Sequence, residues 1–464
     1  MTTSFPITAA GSAIDSTPTL RPSAHFTAER AWLNDPNGLI QYKGVYHLFF
    51  QTNPHGTTWG DISWGHATST DLVTWTEQDV AIPCTPEEMA FSGSAVVDSR
   101  NTAGFADQER GETALVAIYT SAQRATGDGP AIQSQSLAFS LDDGATWSRY
   151  AGNPVLDIGS EEFRDPKVFW YGGDDGHWVM VLVEAVERTV AVYTSPDLIN
   201  WTLASRFGPA HAVGGVWECP DLFPLIVEGT GETRWVLVVS LNPGGIAGGS
   251  GAQYFVGDFD GRTFVAERLT DSPHLTDYDW LDYGRDYYAA VSFDNVADGR
   301  RLMVGWASNW QYANETPTAP WRSAMSLVRE VTLVRSGDGR HRLVQRAVLP
   351  ADRGAVRVFE TTVPCGPDDL TTLAVHGEGD ERLLVIVDGR ERTISCDRTV
   401  SGDTGFHPDF PSVDRAPIPE ECGDQLDLQI IVDAMIVEVF AAGGLVTFTE
   451  QVFPRSNYDR VSSV

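Results

Sequence analysis

The chain of 464 residues is too long for one ordinary hydrophobic core and points to two domains. Hydrophobic residues make up 42% and charged residues 20%, the balance of a globular protein in water, and 63 acidic against 32 basic residues leave a net charge of −31. That sign repels nucleic acid and anionic membranes, so neither is an expected partner, and no apolar stretch is long enough to span a bilayer.

In chain order, residues 1–30 read as an N-terminal extension. Its first basic residue is Arg21, and no continuous apolar run precedes it, so the pattern of a signal peptide is missing. Two compartments stay open: the cytoplasm, or a secreted form without its signal. Strand signals then dominate. "GVYHLFFQ", "TALVAIYTS", "HWVMVLVEA", "TRWVLVVSL" and "RRLMVGWAS" are short, rich in β-branched and aromatic residues, and bounded by Gly, Asp, Asn or Pro. Helical periodicity is never sustained beyond about two turns, so the expected class is all-β.

A degenerate repeat runs through the first part. Asp71 to Thr76 is "DLVTWT", Asp143 to Ser148 "DGATWS", Asp197 to Thr202 "DLINWT" and Asp260 to Phe264 "DGRTF". Its aromatics, Trp75, Trp147, Trp201 and Phe264, are 72, 54 and 63 residues apart. A four-stranded sheet with its turns takes roughly that many residues, so each repeat reads as one propeller blade. Residues 31–344 leave room for a five-bladed β-propeller; an aperiodic sandwich with incidental turns is the alternative. From 345 to 464 tryptophan disappears, although the chain holds 14, and alternating strands continue between Asp and Gly turns. That part reads as a C-terminal β-sandwich, and the aromatic-rich first domain should hold the ligand site. The five cysteines are odd in number and form no CxxC pair or Cys/His cluster, so neither a disulfide framework nor a metal site is expected.

Three acids share one kind of setting. Asp35 lies in "WLNDPNGL", Asp165 in "FRDPKVFW" and Glu218 in "GVWECPDLFP", each in a strand-like stretch with aromatics and each in a different expected blade. Inner strands of a propeller face one axis, so the three can converge there. Singly, each has a plainer reading: Asp before Pro starts turns, Asn-Gly makes hairpins, and Arg164 with Asp165 can be an ordinary ion pair. Together, three acids in apolar surroundings are costly unless they are paired or put to use. Glycoside hydrolysis uses such a set: a nucleophile, a carboxylic acid that protonates the leaving oxygen, and a group that steadies an oxocarbenium-like transition state. Glu218 among Trp, Cys and Pro suits the acid, since burial favours its neutral form. Asp35 beside Asn34 and Asn37 suits an ionised nucleophile, and Asp165 next to Arg164 should stay charged. Trp59, Trp64, Trp306 and Trp310 offer apolar platforms for sugar faces.

With "FFQTNP", "WGDISWGHATSTDLVTW", "FSGSAVVD" and "ASNWQYANETPTAPWRSAMSLVRE", these motifs make the chain resemble glycoside hydrolase family 32, the β-fructosidases that include invertases, exo-inulinases and levanases. The resemblance runs from Trp32 to Glu330 with a plausible sandwich after it. It implies a five-bladed propeller joined to a β-sandwich, and a retaining double displacement at C2 of a terminal β-fructofuranosyl unit in a fructan (levan, inulin) or sucrose. Residue by residue, it implies Asp35 as nucleophile, Glu218 as general acid/base and Asp165 as transition-state stabiliser. Asn34, Gln51, Trp59, Phe91, Ser92, Arg164 and Trp310 match positions that line the fructose pocket. No cofactor or metal is implied, and the implied partner is an oligo- or polysaccharide with β-fructofuranosyl units. Fructosyl transfer, difructose release, inverting action on arabinan or xylan, and sugar binding without catalysis remain open alternatives, as does the oligomeric state.

Overall fold

The computed structural model describes residues 20–125 and 129–464; residues 1–19 of the expected N-terminal extension lie outside the described residues. Five sheets each carry four antiparallel strands in chain order, and the first also gains a short fifth, parallel strand from later in the chain. Blade I holds Ala31–Tyr42, Val45–Asn53, Ser63–Ser69 and Thr76–Ile82, and blade II Glu88–Asp98, Ala114–Gln123, Gln133–Ser140 and Ser148–Arg149. Blade III holds Phe163–Tyr171, His177–Glu184, Thr189–Ser195 and Thr202–Phe207, and blade IV Val216–Ile226, Thr233–Asn242, Gly251–Phe259 and Phe264–Ala266. Blade V holds Tyr288–Ser292, Leu302–Trp306, Arg329–Arg335 and His341–Ala347. The chain is a five-bladed β-propeller followed by a β-sandwich.

The repeat marks the turn into each outermost strand. Asp71 accepts the backbone N–H groups of Val73 and Thr74 at 2.9 and 2.7 Å, Asp197 those of Ile199 and Asn200 at 3.0 and 2.7 Å, and Asp260 those of Arg262 and Thr263 at 2.9 and 2.7 Å. An Asp side chain that bonds the backbone a few residues on fixes such a turn. In blade II the residue with this job is Asp142, which accepts from Thr146 N–H at 2.9 Å, whereas Asp143 pairs with Lys43 at 2.7 Å. The expected position was one residue late. Blade V closes the same turn with Asp338, bonded by Arg340 N–H at 3.0 Å, but no aromatic follows, and a long excursion from Ala307 to Val328 separates its second and third strands. That excursion closes the ring: Trp321–Arg322 pairs in parallel with Ala31 and Trp32, and Ile40 bridges Asp294.

The sandwich packs one sheet (Arg357–Pro364, Gln425–Asp433, Ile436–Ala441, Val446–Gln451) on another (Val413–Pro417, Thr393–Val400, Arg382–Asp388, Leu370–His376, Arg460–Ser463). Alternation places Leu383, Val385 and Val387 against Leu426, Leu428 and Ile430 in one core. At the seam with the propeller, apolar packing such as Tyr312 and Trp321 against Phe410 and Phe453 surrounds buried ionic contacts. Arg329 of blade V, wholly buried, reaches Asp282 at 2.9 Å and the sandwich residue Glu438 at 2.9 Å, while His25 bridges Asp433 at 2.9 Å and Glu438 at 3.1 Å.

Candidate active site

Every inner strand loses register near its N-terminal end. The breaks fall between Leu33 and Pro36, Phe91 and Gly93, Arg164 and Lys167, Glu218 and Asp221, and Tyr288 and Val291. A proline cannot donate to a strand ladder and sits inside a sheet only at an edge or a bulge. Pro36, Pro166 and Pro220 therefore encode three of these bulges. Asp165 and Cys219 have φ of +66° and +47°, left-handed values that cost a non-glycine residue energy and occur where surrounding structure enforces them. Each bulge turns a side chain toward the axis that a regular pleat would direct into the neighbouring blade.

The three acids meet there. The Cys219 thiol stands 3.6 Å from Asp35 Oδ2 and 3.7 Å from Asp165 Oδ2, and Cys219 N–H donates to Asp165 at 2.9 Å. Arg164 Nη2 reaches Glu218 Oε1 at 3.1 Å, with Nε at 3.3 Å. Asp35 is cradled: Ser92 Oγ donates to its Oδ2 at 2.7 Å and Asn34 Nδ2 to its Oδ1 at 3.0 Å. Asn34 in turn donates to Gln51 Oε1 at 2.9 Å and accepts from Trp32 Nε1 at 2.7 Å, while Gln51 donates to Ser92. Asp35 and Asp165 are buried, whereas the Glu218 side chain is 21% exposed, so Glu218 is the acid that solvent or a departing group reaches most easily.

Two electrostatic expectations need correction. Arg164 is not principally the partner of Asp165: its nearest approach there is 3.9 Å, because the bulge turns neighbouring side chains apart and the guanidinium spans Glu218 and Glu162 instead. Burial pushes the Asp165 carboxyl up; Arg164 opposes this, and the charges of Glu218 and Asp35 reinforce it. Burial likewise raises Asp35, against the hydrogen bonds of Ser92 and Asn34, and Glu218 adds to the rise. Nor does Glu218 lie in a purely apolar setting. Trp217, its strand neighbour, points into the packed core, and Glu218 is held between Arg164 and the Tyr288 hydroxyl, which donates to Oε2.

The expected platforms divide. Trp59 is 41% exposed and packs at 6.0 Å against the half-buried Phe91, and Trp310 stacks at 6.0 Å on Trp32. Trp64 and Trp306 are wholly buried, with indole N–H groups spent on Phe91 O and Ser323 Oγ, so they are core and offer no platform. Tyr288 escaped the reading of the sequence because its stretch, "RDYYAAVSF", carries neither Pro nor an acid at the bulge. Cys219 was noticed only as a neighbour of Glu218. Among the described residues no group of three or more His, Cys, Asp or Glu side chains is arranged to hold a metal ion.

Three acids from the inner strands of blades I, III and IV, meeting on one propeller axis, are the arrangement of a glycosidase. Family models agree: residues 25–347 match the glycosyl hydrolases family 32 N-terminal domain and residues 358–464 the family's C-terminal domain. The chain belongs to glycosyl hydrolase family 32. It is 41% identical to an extracellular exo-inulinase of Aspergillus ficuum, over 94% of this chain and 90% of that one. The crystal structure of an exo-inulinase from Aspergillus awamori superposes with a TM-score of 0.87 at 39% identity, covering 97% of this chain and 96% of that one. A fructofuranosidase from Schwanniomyces occidentalis, solved with fructose, superposes at 0.81 with 34% identity, covering 95% and 94%.

Proposed function

We propose that this protein releases terminal β-D-fructofuranosyl units from fructans and from sucrose by a retaining double displacement. The observation that carries the reading is the meeting of Asp35, Asp165 and Glu218 around one thiol and one guanidinium. In this reading Asp35 attacks C2 of the fructosyl unit. Its lone pair is aimed by Ser92 and Asn34, whose hydrogen bonds offset part of the cost of a buried charge. Glu218 protonates the departing oxygen, then takes a proton from the water that releases fructose. Its partial exposure suits both duties, and Arg164 and Tyr288 hold the carboxyl in place between them. Asp165, fixed by Cys219 N–H, accepts hydroxyl protons of the sugar and balances charge at the oxocarbenium-like transition state. The steps use carboxyl groups and water alone.

Of the pocket residues, Asn34, Gln51 and Ser92 give their N–H and O–H donors to Asp35 and to one another, so they hold the nucleophile, and Arg164 holds Glu218 with one Nη2 N–H left over for the sugar. Trp59, Phe91 and Trp310 form the apolar rim. Similarity to an extracellular relative supports a place of action outside the cell. Chromatography of the products from sucrose, inulin and levan tests the proposal: free fructose from the chain end is expected throughout. Difructose, longer transfer products, or activity confined to arabinosides would overturn it.

A further inference from the structure

The inner strands have two ends, and only one has been used. The bulges place the acids near the N-terminal ends; four residues on, roughly 13 Å along a strand, the same strands line a second cavity at the opposite mouth of the axis. It has a volume of about 340 Å³ and is walled by Phe169 and Trp170 of blade III, Phe223 and Pro224 of blade IV, and Trp235. Lys167, Asp294 and Arg301 enter it as polar groups. The volume falls at the lower end of the range for small-molecule sites.

The polar groups of this cavity are incompletely used by the protein. Arg301 donates through Nη1 alone, to Ser292 Oγ at 3.2 Å and Phe293 O at 3.4 Å, and its guanidinium lies 4.9 Å from the Phe223 ring centre. The Asp294 carboxylate takes one local bond, from the Asn295 backbone N–H, which leaves further acceptor capacity, and the half-buried Trp235 indole N–H has no protein acceptor among the described residues. Lys167 is different: it is satisfied by Ser292 O and by Asp221 at 3.5 Å, and it lines both this cavity and the small pocket beside Asp165 and Cys219. Charge is balanced, with Lys167 against Asp221, Arg301 beside Asp294, and Arg100 paired with Asp174 at 3.1 Å.

We propose that this far mouth is a second binding site, for a neutral polyhydroxylated ligand of monosaccharide size. A carboxylate that accepts paired hydroxyl protons, a guanidinium and an indole N–H that donate to hydroxyl or ring oxygens, and aromatic walls for the C–H faces are what such a ligand requires. An anion fits less well, since Asp294 has no counter-charge to spare and repels it. The site lies outside the catalytic pocket, so it binds product or a free sugar without competing for the acids.

The test uses the full chain labelled with 5-fluorotryptophan and titrated with fructose under ¹⁹F NMR. Trp235 is assigned by Trp235→Phe and reports the far mouth, while Trp310, assigned likewise, reports the catalytic pocket. Saturable movement of the Trp235 resonance is expected, abolished in Arg301→Met and in Asp294→Ala, with the Trp310 response and kcat/KM on sucrose retained as evidence of folding. A still Trp235 resonance overturns the proposal, as does movement with inorganic phosphate but not fructose. A still Trp310 beside a moving Trp235 would fault the reading of the catalytic pocket and leave the second site standing.

Discussion

Two of the buried acid clusters among the described residues, one at the head of the propeller axis and one around His25 and Arg329 at the seam with the sandwich, are pushed in opposite directions. At the seam, burial raises the carboxyls of Asp433 and Glu438, but His25, Arg329 and backbone N–H groups more than reverse it, and Glu438 falls to about 2. His25 answers in kind: burial lowers it, the two acids outweigh burial, and it rises to about 9. On the axis three acids share one guanidinium, burial wins, and Asp35 and Asp165 stand above their ordinary range. The seam spends its cations on holding two domains together. The axis leaves its acids short of positive charge, which costs stability and keeps carboxyl groups poised to react.

The comparison is broken most severely at Glu218. Glu218→Gln keeps the shape and removes the proton, so kcat on sucrose should fall by about 10²–10⁴-fold with the melting temperature nearly unchanged. Next comes Arg329→Met, which strands Asp282 without its cation and leaves Glu438 with His25 alone; breaking a buried pair costs about 3–5 kcal/mol. Urea unfolding should record that loss, while the activity per folded molecule stays near wild type. Asp35→Asn sharpens the contrast from the other side: it abolishes turnover yet raises stability at pH 7 by roughly 0.5–2 kcal/mol, because a buried, under-compensated charge has gone.

Acidity separates the clusters again. His25 has a raised folded pKa, so its contribution to stability is complete below about 6.5 and is lost as pH rises toward about 9. Glu438 has a depressed one, so its contribution is present above about 4.5 and is lost as pH falls toward about 2. Denaturant midpoints across this range should therefore peak between the two limits, and His25→Gln should flatten the alkaline side. In catalysis, Ser92→Ala removes a hydrogen bond that lowers Asp35, so the acid limb of the kcat/KM profile should move to higher pH. The smallest effect is expected at the rim, where Trp59→Ala should raise KM several-fold and leave kcat close to wild type.

Much of the axis was legible in the sequence and almost none of the seam. The Asp turns into the outermost strands are local, with acceptor and donors two to four residues apart, so four blades could be read directly. Blade V was hidden by its excursion and its missing aromatic. The site was legible because three acids stand in aromatic, apolar stretches that form recognisable motifs, but the bulges at Pro36, Pro166 and Pro220 were not read, and which way Arg164 would turn depended on them. Trp59 sits in the loop stretch "GTTWGD", whereas Trp64 and Trp306 lie within strands that are packed on both sides, a difference the aromatic count alone does not show. His25 and Glu438 are 413 residues apart, and no local pattern joins them.

The claim that Asp35 is the group that bonds to the sugar has a direct test in Glu218→Gln given a β-fructosyl donor whose leaving group needs no proton. Formation of the covalent intermediate then proceeds while its hydrolysis, deprived of the base, stalls. Peptide mass spectrometry of the quenched enzyme should find one fructosyl unit on the peptide that contains Asp35. A fructosyl unit on Asp165, or turnover of the donor with no adduct at all, would contradict the account.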